Sequence, residues 1–94
     1  MNETFAKKLA QQEFHKTLQR RKDWTNITFH PLRLKYETES FWVFTAVSPD
    51  LQAQGYVPGA LHFTIDRKDG HRWNEAEIEE YNQAKLAAPE LQAA

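Results

Sequence analysis

Apolar residues recur at Ala6, Leu9, Ala10, Phe14, Thr17 and Leu18. This near-3.6-residue spacing lines one face of a helix, and the pattern predicts a helix over Asn2–Lys22. Asn2 suits the N-cap, and Glu3 suits the positive end of the helix dipole. Phe5 sits at the border of the stripe. Lys7, Lys8, Lys16 and Arg20 to Lys22 occupy the other faces and the C-terminal end, where cations complement the dipole. Asp23 to Asn26 reads as a connection.

The period then changes from helical to alternating. Within Ile27–Glu39, Leu32, Leu34 and Tyr36 alternate with Arg33, Lys35 and Glu37, the mark of a strand with one face in the core. Pro31 cannot donate to a ladder, so this strand belongs at an edge or carries a bulge. Thr38 to Ser40 is a polar turn. Phe41–Val47 is apolar on both faces and reads as the central strand. Trp42, Phe44 and Ala46 share one of its faces, and Phe41, Val43 and Val47 the other. One set is expected under a helix and the other is left for a partner, such as a second copy in a homodimer.

Ser48–Gly59 reads as a polar loop. Ala60–Asp66 is the third strand, with Leu61, Phe63 and Ile65 on one face and His62 and Thr64 on the other. Asp66-Arg67-Lys68-Asp69-Gly70 is a tight-turn signature in which Gly70 takes a positive φ. His71 to Trp73 reads as a short fourth strand. A second helix follows over Asn74–Ala88. Asn74 is its N-cap and Glu77 the third-position partner of a capping box, with Trp73 and Ile78 as a hydrophobic staple. Pro89 predicts its end, and 89–94 reads as a tail.

These elements predict one α+β domain over residues 1–88: an N-terminal helix, a three- to four-stranded antiparallel meander and a C-terminal helix. The simplest arrangement is a two-layer sandwich with both helices on one sheet face. A chain of 94 residues has one core to build, and its aromatic residues carry much of that burial.

Composition removes several function classes. The absence of cysteine excludes a disulfide framework, a thiolate zinc site and a cysteine nucleophile. No apolar run approaches the roughly 18 residues that a membrane span needs. The N-terminal stretch lacks the h-region and cleavage site of a signal peptide, so the expected location is cytoplasmic. The formal net charge is −1, which argues against a dedicated nucleic-acid binder. The charge is nevertheless unevenly spread. Met1–Tyr36 holds eight Lys or Arg against three Asp or Glu, and Glu37–Ala94 holds four against ten.

Catalytic motifs do not assemble. His15 and His30 have no nucleophile or orienting carboxylate at a recognisable spacing. Ser40 and Ser48 fall in turns without a nucleophile elbow. His62, Asp66, Asp69 and His71 cluster at one hairpin, but an Asp in such a turn serves its amides, and the set is no complete metal centre. Glu75, Glu77, Glu79 and Glu80 read as capping and a solvated face. Gly55, Gly59 and Gly70 form no phosphate loop. No metal or cofactor is implied.

Two surfaces remain. The Ser48–Pro58 segment is long for a connection, and Asp50, Gln52, Gln54 and Tyr56 give it the composition of a protein-contact loop. Lys16, Arg20, Arg21 and Lys22, followed by Trp24, combine cations with a stacking aromatic, as a nucleic-acid contact needs. The first surface makes a non-enzymatic protein-binding module the leading expectation. A weak nucleic-acid binder acting through the first helix is the alternative.

Phe41-Trp42-Val43-Phe44, Gly55-Tyr56-Val57-Pro58-Gly59 and Ile65-Asp66-Arg67-Lys68-Asp69-Gly70-His71 together resemble the bacterial family of immunity protein 35 type, which includes small chaperone-like proteins. The resemblance covers about residues 41–73, with the preceding helix compatible and the second helix beyond it. It implies a small bacterial cytosolic protein that neutralises a toxin by binding it. It carries no catalytic residues onto this chain.

Overall fold

Phe41–Val47 is the middle of the sheet because both of its faces are apolar. In the computed structural model, which describes residues 1–93, it is β2. It pairs antiparallel with β1 (Arg33–Glu37) on one side and β3 (Ala60–Asp66) on the other, giving the order β1-β2-β3. The helices are α1 (Glu3–Arg20), α2 (Pro49–Ala53) and α3 (Glu75–Ala93). The fold is α+β: helix, three-stranded antiparallel meander, helix.

The register places Leu34, Phe44 and Phe63 side by side, flanked by Trp42 with Ile65 and Ala46 with Leu61. These residues share one face, and α1 covers it through Ala6, Ala10 and Phe14. Small residues at Ala6 and Ala10, both without exposed surface, let the helix lie close to the sheet, while Phe14 reaches Phe63 (5.8 Å between ring centres) and Phe29 (5.2 Å, edge-on). Asn2 caps α1 by accepting from the Phe5 amide at 2.9 Å.

The helices do not share that face. α3 goes to the opposite one, where Phe41 meets Trp73 at 4.8 Å and Tyr81 at 4.9 Å, both edge-on. Successive strand residues point to opposite faces, so Phe41 and Trp42 serve different helices. Neither apolar set of β2 is left bare: Phe41 and Val43 are each 4% exposed and Val47 is half-buried. On the face expected to be left for a partner, Phe41 is covered by Trp73 and Tyr81.

Several features differ from the sequence pattern, and four have a local reason. The first strand begins at Arg33 rather than Ile27. Pro31 has no N–H, and the Thr28 amide is given to the Asp50 carboxylate at 2.9 Å, so residues 27–32 are not laddered apart from His30 N–H to Val47 carbonyl. A bulge between Leu34 and Tyr36 shifts the register by one residue. It turns Tyr36 out of the expected core row onto the Phe41 face, where it is 50% exposed. The expected fourth strand is a single bridge between Ile65 and Arg72, because the chain turns into the α3 cap immediately after Trp73. Finally, α3 runs past Pro89 to Ala93. A proline removes one backbone donor, and the surrounding Ala, Leu, Glu and Gln residues are helix formers. The tail expected over 89–94 is thus helical to Ala93, and Ala94 lies outside the described residues.

No helix among the described residues is long and apolar enough to cross a membrane.

Candidate functional site

The connection from β2 to β3 is not a simple loop. Ser48-Pro49-Asp50 opens the short helix α2. The Ser48 hydroxyl accepts from the Leu51 amide at 3.2 Å, and Pro49 occupies the first turn, where its missing N–H costs nothing. Leu51 is 2% exposed and anchors α2 to the body. Asp50 fastens it from the other side, accepting from the Thr28 amide (2.9 Å) and hydroxyl (2.7 Å) with one oxygen. These two contacts, amide first, hold the Asp50 carboxyl below its usual range.

The four residues expected to contact a partner therefore have different tasks. Asp50 is an internal anchor. Gln52 packs beneath Gly59, whose φ of +68° and closeness to the Gln52 side chain and backbone leave no room for a Cβ. Gln54 closes α2 with its amide on the Asp50 and Leu51 carbonyls. Gln52 and Gln54 keep exposed side chains, and Tyr56, at 46% exposure, also joins a larger surface.

That surface joins the two sets that the sequence kept apart. Arg21 and Trp24, from the end of α1, line a depression of about 210 Å³ together with Leu51, Tyr56, Val57, Pro58 and Gly59. The Arg21 guanidinium lies over the Trp24 ring at 4.1 Å from its centre and holds Asp23 through Nε (3.0 Å) and Nη2 (2.8 Å). The Asp23 carboxylate, and then the Tyr56 hydroxyl, keep Arg21 firmly protonated, and Arg21 holds Asp23 below its usual range. The Trp24 indole N–H is buried with no acceptor among the described residues. Beside it, Val57 is 94% exposed. Val57 and Pro58 were not among the expected contact residues, although the Tyr-Val-Pro-Gly run, apolar residues in a turn setting, was the available signal.

The same geometry weakens the nucleic-acid surface. One face of Trp24 is under Arg21, so it is not free for a base. Lys16 is paired with Glu13 at 3.6 Å, and Arg21 with Asp23. Arg20 and Lys22 are exposed at the helix end.

At the β3 hairpin, Asp66, Asp69 and His71 all have structural tasks. Asp66 Oδ2 accepts from the turn amides of Lys68 (2.8 Å) and Asp69 (3.1 Å), and Oδ1 from the Trp73 indole (2.9 Å). Gly70 has φ +76°, and a Cβ there would strike Met1 and Leu9. His71 bridges two elements, with Nδ1 on Asp69 (2.5 Å) and Nε2 on Glu77 of α3 (2.8 Å). Glu77 also closes the capping box, accepting from the Asn74 amide at 3.0 Å, while Asn74 accepts from the Glu77 amide at 2.9 Å. Asp66, Asp69 and His71 bring ligand-type atoms within 4.8 Å of one another, yet each is already bonded in the turn or to α3.

A carboxylate on each ring nitrogen requires the imidazolium form. The Glu77 and Asp69 contacts raise the His71 pKa above 6.5, and Asp66 is the third charged group nearby. The bridge is whole below pH 6.5 and is lost as the pH rises through the raised value. Glu77 and Asp69 are lowered from 4.5 and 3.8, so acid weakens the bridge only below those values. The attachment of α3 is thus expected to be strongest between about pH 4.5 and 6.5. Tryptophan fluorescence of Trp73 against pH should show this window, and His71→Gln should abolish it.

A separate cavity of about 530 Å³ lies between the start of α3 and the β3 edge, lined by His62, Thr64, Arg72, Trp73, Asn74 and Ile78 among others. Asp66 is not on it. Partial burial, and then Lys35, push His62 down toward its neutral form, and no carboxylate orients its ring among the described residues.

Comparison with protein-family models, curated proteins and solved structures gave no match.

Proposed function

We propose that the chain is a non-enzymatic protein-binding module of the immunity or regulatory kind, which grips a partner protein through the Arg21–Trp24–Tyr56–Val57 surface. The observation that carries this reading is Val57, an apolar side chain 94% exposed at the rim of a depression walled by Tyr56 and Trp24. Burying a valine stabilises by about 1.5–3 kcal/mol, a gain this residue makes only against another molecule. Trp, Tyr and Arg are the residues that dominate protein interfaces, because they combine large rigid area with directed hydrogen bonds. α2 is pinned by Leu51 and by Asp50 on Thr28, so binding would order little new chain.

The resemblance to the immunity protein 35-type family gives the reading its most specific form: a bacterial cytosolic protein whose partner is a toxin, silenced by occlusion. The occupied face of Trp24 and the pairing of Arg21 weigh against the nucleic-acid alternative.

The test is a nuclease-treated affinity capture from the source cell's lysate, with wild type and Tyr56→Ala in parallel. A stoichiometric protein partner should be retained by wild type. Its affinity for Tyr56→Ala should fall about 30-fold, the size of a hot-spot truncation, with the melting temperature unchanged. Equal retention by both would overturn the assignment of this surface. Loss of all captured material on nuclease treatment would favour the nucleic-acid alternative. In that case affinity would fall about 100-fold between 50 and 200 mM salt, the size expected for roughly four phosphate contacts.

A further inference from the structure

The sheet has two edges, and they differ. At β1, Pro31, the bulge between Leu34 and Tyr36 and the charges of Arg33, Lys35 and Glu37 are devices that keep a foreign strand off an edge. β3 has none of these over Ala60–Thr64. Its register with β2 is unbroken from Phe41↔Asp66 to Val47↔Ala60. His62, the titratable side chain of this stretch, is held toward its neutral form by partial burial and then by Lys35.

The backbone of the stretch is free for pairing. The Arg67 amide donates to the Ser40 carbonyl, and the Gly59 carbonyl accepts from the Ser48 amide, so the odd-numbered residues along this run serve β2. Alternate residues offer their backbone groups to the same side, which turns Ala60, His62, Thr64 and Asp66 outward. Residues 71–73 begin to pair there. The Asp66 amide donates to the His71 carbonyl at 2.9 Å, and the Thr64 carbonyl accepts from the Trp73 amide at 2.8 Å. The chain then leaves for α3. The Thr64 amide, and the amides and carbonyls of His62 and Ala60, have no ladder partner among the described residues, and the His62 carbonyl meets only the Arg72 guanidinium, at 3.5 Å. The cavity of about 530 Å³ lies beside this stretch, with Ala60, His62 and Thr64 on one side and Trp73 and Ile78 on the other. Ala60 and Leu61 also line the Tyr56–Val57 depression, so the two hollows meet at the start of β3.

We infer that the partner presents an extended segment that adds to β3 as a fourth strand, bonding to the outward backbone of Ala60, His62 and Thr64 and laying one apolar side chain against Trp73 and Ile78. This rests on the reading of the Tyr56–Val57 surface as a protein-binding site and names the form that the partner brings to it. Strand addition draws affinity from main-chain hydrogen bonds and selectivity from pockets for alternate side chains, and this edge offers both. A helix laid on the same edge would bury those donors and acceptors unpaired, at a cost for each.

The inference is tested with the full chain immobilised against a phage-displayed library of random dodecapeptides. Enriched peptides are then synthesised with each backbone amide N-methylated in turn. Methyls at alternate positions should weaken binding about tenfold or more, each removing a bond to β3, and methyls between them should change it less than about threefold. His62→Pro should also weaken binding about tenfold or more, because it removes an outward amide and sets a ring where the added strand would lie. The ladder to β2 keeps its bonds, and prolines are tolerated on such edges, so the circular dichroism of the variant should match wild type. The N-methyl scan uses the wild-type chain and reads the binding mode independently of that variant's folding. Peptides lost on Val57→Asp, but without alternation in the scan and indifferent to His62→Pro, would overturn strand addition and leave the surface standing. Peptides with alternation that Val57→Asp still binds would uphold strand addition and remove Val57 from the contact. An absence of enriched peptides would overturn both. A dimer of the chain that His62→Pro dissolves would assign the edge to a second copy and overturn the partner segment.

Discussion

Phe44→Ala is expected to lower the free energy of unfolding by about 3–5 kcal/mol, the range for truncating a fully buried phenylalanine. Phe44 has no exposed surface and sits at the centre of β2, between Leu34 of β1 and Phe63 of β3, in the cluster that α1 covers. Removing the ring leaves a cavity that three packed strands cannot close without breaking their register. A domain of this size has little stability in reserve, so the variant should be largely unfolded at 37 °C. Urea unfolding followed by circular dichroism checks this. A loss below about 1 kcal/mol would mean that the ring is not where the core is built.

The second large effect separates binding from folding. Val57→Asp should abolish partner binding, by about 100-fold or more, since a carboxylate would have to be desolvated in the centre of the contact. The melting temperature should not move, because Val57 is 94% exposed and substitutions at such positions shift stability by no more than about 0.5 kcal/mol. Isothermal titration with the captured partner, alongside a thermal melt, reads both quantities. A lowered melting temperature would place Val57 in the packing rather than on the contact surface.

The fold was legible wherever one pattern dominated. The spacing of Ala6, Ala10 and Phe14 gave α1, and its Asn2 cap is in place. The apolar run Phe41–Val47 and the alternation of Ala60–Asp66 matched β2 and β3 at both ends. Asn74 and Glu77 form the capping box that their spacing implied, a device worth about 1 kcal/mol. Two features were hidden by competition. Leu32, Leu34 and Tyr36 alternate in sequence, but a bulge breaks the parity, and nothing in the local pattern marks it. Ser48-Pro49-Asp50 did carry a helix-start signal, yet the surrounding polar residues masked so short a helix. The candidate site was half legible. Tyr56 could be singled out from its segment, and Arg21 and Trp24 from theirs, but their meeting depends on a contact between the end of α1 and the β2–β3 connection that no local pattern encodes. Val57, which was not among the expected contact residues, is the most exposed large apolar side chain among the described residues.

Hydrogen exchange on the captured complex tests the central claim most directly. If the partner sits on the Arg21–Trp24–Tyr56–Val57 surface, amide exchange should slow at residues 21–24 and 54–57 on binding and stay unchanged along the outward face of α3. Protection confined to α3 or to the β1 edge, with residues 54–57 exchanging as in the free chain, would contradict the account.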